Sequence, residues 1–406
     1  MSAPPVADAA TEPAAPARRV FFPAVEGLRG VAALLVVVVH VAFVSGLSTR
    51  PGLAGELAAR AEVGVGVFFV LSGFLLYRPW AVAHLDASRL ARAPRAGRFL
   101  VRRVFRILPL YWAVLAVTLL LVPAARPRDV GDAVLLPLLG QVYREQTVFL
   151  GVPQAWSLCV ELTFYLTLPL YAGLLRRCGR GRDGRGRFRL EVLGALALVV
   201  VGLGARVGLE LTAVPWRLWH GFLPVWTDLF GLGLLLAVCS ARWAARGGAP
   251  AWLRRPSGLV GCWGGAVVVY LVLALAVGLG RDPLYDRRPG QALAEEVLWG
   301  AFAVLLLLPA VAGTPRPLVL RPVAALGLVS YGVYLWHQLV VHVLVDVTAW
   351  ESFRIPFGWL LVAVVGGSAV LAGLSYRLVE RPGIATGSRV SAGTQRRREQ
   401  LIRDGG

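Results

Sequence analysis

Apolar runs long enough to cross a membrane as a helix, about twenty residues each, recur from one end of the chain to the other. Ten are read as spans: 28–47, 62–80, 104–122, 155–175, 190–211, 222–240, 257–280, 293–312, 323–346 and 357–378. A helix satisfies its own backbone polar groups, so it is the natural form for such runs in a medium without water. A shorter apolar piece, 133–150, is interrupted by Pro137 and Gly140 and is expected to be re-entrant or interfacial. The pattern predicts an all-α polytopic membrane protein with about ten transmembrane helices.

Composition supports this. The 406 residues are 57% hydrophobic and 16% charged, with mean hydropathy +0.66. That excludes an ordinary soluble domain. The formal charge is +19 and all 42 basic residues are arginine. In a soluble chain this would suggest nucleic acid. Here the arginines gather between apolar runs, at 78–106, 176–189, 242–255, 316–321 and the C-terminus. The positive-inside rule explains them better, with no nucleic-acid partner and both termini cytoplasmic. Residues 1–22 are an Ala/Pro-rich tail without the apolar core of a signal peptide, so the first run is expected to stay in the membrane. Residues 23–382 read as one membrane domain. Pro382 is expected to end the last helix, leaving 383–406 as a basic, disordered tail. The four cysteines show no CxxC pair and no metal-ligand spacing.

Against this apolar background the polar positions stand out. Arg29 and His40 are eleven residues apart, which returns to one helix face within about 20° and rises roughly 16 Å. If Arg29 marks a membrane surface, His40 lies near the middle of a ~30 Å core, where an ionisable group usually has a functional partner. Gly64, Gly66, Ser72 and Gly73 allow close approach of a helix or a ligand. Arg98, Arg102, Arg103 and Arg106 alternate with apolar residues at helical spacing. They fit lipid phosphate contact and a clamp for a soluble anionic donor equally well. Glu161 is an acid inside the fourth span, with Tyr165 one turn on and Trp156 at the span's start. Tyr331, Tyr334 and His337 or Gln338 form a polar-aromatic stripe in the ninth span, suited to a carbohydrate wall or to helix packing. Glu380 is expected to pair with a cytoplasmic arginine. Asp228 is a further buried acid, His84 and His220 have no evident partners, and His342 lies nearer the outer surface and reads as functionally bland.

Six blocks in series carry a resemblance: Glu26–His40, Phe68–Phe74, Arg102–Tyr111, Trp156–Tyr165, Ser330–His337 and Glu380–Pro382. In this order the chain resembles the acyltransferase-3 family of integral membrane O-acyltransferases. Two positions depart from the family pattern: Glu26 stands where Asp is usual, and Leu162 replaces a frequent second Glu. The resemblance implies transfer of an acyl group, commonly acetyl, from cytoplasmic acyl-CoA to a sugar hydroxyl of an envelope glycan or a glycosylated natural product. No permanently bound cofactor is expected. On this view Arg98, Arg102, Arg103 and Arg106 bind the donor's phosphates, with Arg29 beside them. His40 is the general base, and Glu161 binds acceptor hydroxyls or orients the imidazole. Trp156, Tyr165, Tyr331, Tyr334, His337 and Ser72 contact substrate. The expected location is a bacterial plasma membrane. A glycan transporter without acyl transfer is the rival reading.

Overall fold

The computed structural model describes residues 22–86, 93–212, 221–278, 289–348 and 350–404, with side chains to 393. The tail 1–21 and His220 lie outside the described residues. Among the described residues, ten helices are long and apolar enough to cross a membrane. We label them α1 (Pro23–Val44), α2 (Val63–Leu85), α3 (Ala96–Leu121), α4 (Trp156–Cys178), α5 (Gly184–Glu210), α6 (Thr227–Ala245), α7 (Pro256–Leu275), α8 (Pro289–Ala312), α9 (Arg321–Thr348) and α10 (Phe357–Ser375). The described residues contain no β-strand.

Cross-helix contacts fix the direction of the bundle. Arg78 near the end of α2 lies over Phe22 at the start of α1 and donates to Ser240 at the end of α6. At the other end Arg60 pairs with Glu62 and Glu295, while Arg206 pairs with Glu296 at 2.6 Å. The arginine-rich segments therefore share one face, and the buried ion pairs tie α2, α5 and α8 together near the opposite face. Asp228 (2% exposed) sits beside Arg206 and Glu296. His84, at the arginine-rich end, has a partner that spacing did not suggest: its ring meets Glu191 at 2.6 Å, and Tyr77 donates to the same carboxylate.

Small residues set the tightest crossings. A Cβ on Gly233 would strike the α2 backbone at Val70, and the Cα of Gly73 faces it across the crossing. Without side chains at that point, α2 and α6 approach backbone to backbone. Around it, Phe69, Phe164, Trp226 and Phe230 pack ring against ring at centroid distances of 4.0–5.2 Å, the Phe164–Phe230 pair stacked and the Phe69–Trp226 pair edge to face.

Segment 133–150 does not cross the bundle. A short helix (Val130–Leu135), capped by Asp129, is followed by 3-10 turns. Tyr111 and Trp112 of α3 hold it by hydrogen bonds to the carbonyls of Leu136 and Pro137. Arg144 closes it with ion pairs to Asp129 and Asp132. At this exposed site, Arg144 and the Asp132 amide push the Asp129 carboxyl down to about 2.

The C-terminal expectation needs correction. Pro382 does not end the helical path: a π-turn (Tyr376–Glu380) leads into a further helix, α11 (Arg381–Asp404). Pro382 follows directly on that π-turn in an unbroken helical run, so the carbonyl that lacks its N–H falls at the irregular turn. Gly383, Gly387 and Ser391 recur every fourth residue and lie against α3, the glycines at Phe105 and Ser391 at Arg102. A stripe of such small residues is invisible to an apolar-periodicity reading, though it docks a helix well.

Candidate active site

Five helices build one cavity of about 280 Å³. From α1 come Glu26 and Arg29, three residues apart on one face and paired at 3.9 Å. From α2 come Phe68 and Ser72. Arg103 and Arg106 of α3 share a face by the same three-residue spacing. Ser157, Glu161 and Tyr165 make a four-residue stripe down α4, and α9 adds Tyr331 and Tyr334. Ser72 donates to Glu161 at 2.6 Å, and Tyr331 donates to the carbonyl of Ile107 at 2.9 Å. Three guanidiniums against two carboxylates leave the wall at a formal +1. The Nε of Arg103 is buried with no hydrogen-bond partner among the described residues. An unused guanidinium donor in such a wall suits an anionic ligand. Glu380 lies within electrostatic reach of Arg106 and Arg29.

The cavity ends at Ser157 and Tyr334, whose hydroxyls are 2.6 Å apart. His337 follows Tyr334 by one turn and is wholly buried. Its ring stands between Tyr334 and His40, at centroid distances of 5.9 and 5.0 Å. Two carbonyls settle the tautomers. His40 Nδ1 is 2.8 Å from the Val36 oxygen, and His337 Nδ1 is 2.7 Å from the Tyr334 oxygen. A carbonyl only accepts, so both Nδ1 atoms carry hydrogen. His337 Nε2 then accepts from His40 Nδ1–H at 3.2 Å, a bond shared with Val36. His40 Nε2 is left with its lone pair and no partner among the described residues. That is the atom a general base uses.

The sequence-derived residues fall into three groups. Arg29, Arg103, Arg106, Glu161, Tyr165, Tyr331, Tyr334 and Ser72 share the cavity wall. His40 and His337 lie just beyond its end. His40 is four residues from Val44, the end of α1 away from the arginines, rather than midway along that helix. The imidazole's partner is His337; Glu161 is bonded to Ser72 instead. Arg102 turns away to Ser391 on α11, and Arg98 is off the wall. Trp156 packs on Phe69 and Trp226. Sequence reasoning passed over Gln154, whose amide Nε2 donates to the carbonyls of Tyr334 and Leu335. An isolated Gln before a span carries no periodic signal.

The fold and site define a multi-pass α-helical membrane protein with a cation-lined cavity leading to a paired imidazole. The profile of the acyltransferase-3 domain, described as "Acyltransferase domain", matches residues 22–377, and the chain belongs to that family. It is similar to nodulation protein 10 of Rhizobium leguminosarum bv. viciae, 27% identical over 79% of this chain and 81% of that protein. It is also similar to the peptidoglycan O-acetyltransferase OatA of Listeria monocytogenes, 22% identical over 90% of this chain and 56% of the relative. The acyltransferase MdmB of Streptomyces mycarofaciens is 32% identical over 40% of this chain and 42% of its own length. The chain thus spans little more than half of the peptidoglycan O-acetyltransferase it matches. No solved structure matches.

Proposed function

We propose that the chain transfers an acyl group, acetyl by preference, from acyl-CoA to a sugar hydroxyl in a bacterial envelope glycan or glycosylated natural product. The carrying observation is the cavity that runs from Arg29, Arg103 and Arg106 to Ser157 and Tyr334, with the imidazole pair of His40 and His337 just beyond that end. In this reading the arginine-rich face is cytoplasmic and the bilayer is the plasma membrane, in keeping with bacterial relatives and the positive-inside rule. The donor's phosphates rest on the guanidiniums at the mouth. The cavity is near the roughly 300 Å³ lower bound of ligand pockets. It therefore takes the acyl-pantetheine arm while the nucleotide stays outside. Phe68, Leu71 and Leu75 give the arm an apolar wall.

His40 Nε2 takes the acceptor's hydroxyl proton as the oxygen attacks the thioester carbonyl. The C–S bond breaks, the thiolate takes that proton, and ester and CoA thiol leave. During proton transfer His40 Nδ1–H keeps its bonds to the Val36 oxygen and His337 Nε2, which favour the imidazolium. The curated relatives guide the acceptor class: one is a peptidoglycan O-acetyltransferase and another is an acyltransferase from a Streptomyces.

The test uses inverted membrane vesicles, radiolabelled acetyl-CoA and the alkali-labile label in carbohydrate. His40→Ala, at matched expression, should lower transfer by roughly 10²–10⁴-fold. Arg103→Gln with Arg106→Gln should raise the donor KM by roughly tenfold or more, from lost charge-assisted bonds. Wild-type transfer by His40→Ala ends the assignment.

A further inference from the structure

Near the end of the bundle away from the arginines lies a second cavity, of about 180 Å³. Its wall includes Thr118 of α3, Phe149 and Gln154 from the loop before α4, and Gln338 and His342 of α9. We infer that this cavity docks the hydroxyl-bearing ring of the acyl acceptor. The inference rests on the acyltransferase reading and adds to it a separate acceptor site with named residues.

Three observations carry it. The first is the shared partition. Tyr334 donates to the Gln154 carbonyl at 2.8 Å and meets the Ser157 hydroxyl at 2.6 Å. Tyr334 and Ser157 face the arginine-lined cavity, whereas Gln154 faces the second one. One hydrogen-bonded layer separates the two, and His337 lies in the same turn of α9 as Tyr334 and Gln338. Two ligands entering from opposite faces would meet beside the imidazole pair.

The second is an unused acceptor. Gln154 is 3% exposed, and its Oε1 has no hydrogen-bond partner among the described residues. A buried amide oxygen in that state is normally satisfied by water or by a ligand donor. Its Nε2 is held by the carbonyls of Tyr334 and Leu335, so the oxygen's position is fixed.

The third is charge. Among the described residues, no guanidinium or carboxylate lines this wall; its polar groups are two amides, a hydroxyl and an imidazole, set beside an aromatic ring. Neutral donors and acceptors around an apolar surface recognise an uncharged polyol. The arginine-lined cavity has the opposite chemistry and suits an anion. The volume admits one ring rather than a polymer segment.

The experiment uses the full-length protein in vesicles, with acetyl-CoA as donor and a panel of methyl glycosides as acceptors. Transfer is measured while each substrate is varied in turn. Gln338→Leu removes one wall amide without touching the partition, and Gln338→Trp fills the space. Losing one neutral hydrogen bond should raise the acceptor KM by roughly two- to tenfold, with donor KM unchanged; the Trp variant should raise it further. His342→Leu, on the exposed side of the same wall, gives a second reading should either Gln338 variant misfold. An unchanged acceptor KM in all folded variants overturns the site, as does a parallel change in donor KM. Failure of wild type to acylate any methyl glycoside overturns the sugar class. Loss of His40 dependence instead defeats the parent acyl-transfer reading, so the two failures are distinguishable.

Discussion

Substituting His337 tests the imidazole pair most directly. His40 Nδ1–H has two acceptors, the Val36 oxygen at 2.8 Å and His337 Nε2 at 3.2 Å. His337→Phe keeps a ring of similar size and removes the second acceptor. The carbonyl that His337 served is not orphaned, because Gln154 Nε2 still donates to the Tyr334 oxygen at 3.3 Å. The loss is therefore confined to the imidazole. A hydrogen bond to a charged group contributes about 1.5–3 kcal/mol. The 3.2 Å separation and the sharing with Val36 put this one at the low end. About 1.5 kcal/mol corresponds to roughly a tenfold fall in kcat. Donor KM should stay at the wild-type value, since Arg29, Arg103 and Arg106 are untouched. His337→Gln returns an acceptor near the lost Nε2 and should recover most of the rate. A merely structural role for His337 predicts a different outcome, in which both variants fall together with their thermal stability. The assay is vesicle transfer from radiolabelled acetyl-CoA, with melting curves of the purified variants. Wild-type kcat in His337→Phe, or no rescue by His337→Gln, refutes the reasoning.

Two further expectations concern stability. Arg206→Ala leaves Glu296 (2% exposed) and Asp228 as buried acids without their cation; breaking such a pair costs about 3–5 kcal/mol. Thermal unfolding in detergent should show a large downward shift, and a wild-type midpoint would contradict the role given to this ion cluster. The loop closed by Arg144 should respond to acid. The folded Asp129 carboxyl is depressed to about 2, against an ordinary value of about 3.9. Its stabilisation is therefore complete above that ordinary value and is lost as pH falls through 2. Amide exchange in Val130–Leu135 should quicken between those limits and show no such step in Asp129→Asn; equal acid sensitivity in both proteins counts against the cap.

What could be read from the chain divides by the kind of force involved. The ten spans were legible because burial in hydrocarbon demands long apolar runs, and every expected run has a matching helix. Arg29, Glu161 and the tyrosines of α9 were legible because an apolar background makes each polar side chain conspicuous. Partner identity was not legible. The resemblance offers Glu161 either as a ligand for acceptor hydroxyls or as the group that orients His40, yet four-residue spacing on α4 aims it, with Ser157 and Tyr165, into the arginine-lined cavity. His337 reaches His40 because α9 crosses α1 closely: a Cβ on Gly30 would lie 2.9 Å from the Gly327 backbone. That crossing depends on two glycines nearly three hundred positions apart, and one sequence contains nothing that links them. Arg102 and Arg103 show the same limit on a smaller scale. They are neighbours in a run of equivalent-looking cations, but a 100° step along the helix sends one to α11 and the other to the cavity. Since Arg102 is held by Ser391 rather than by the cavity, the proposed donor clamp reduces to Arg29, Arg103 and Arg106. The arginine run thus serves helix docking at one position and lines the cavity at the next, two placements that residue type alone does not separate.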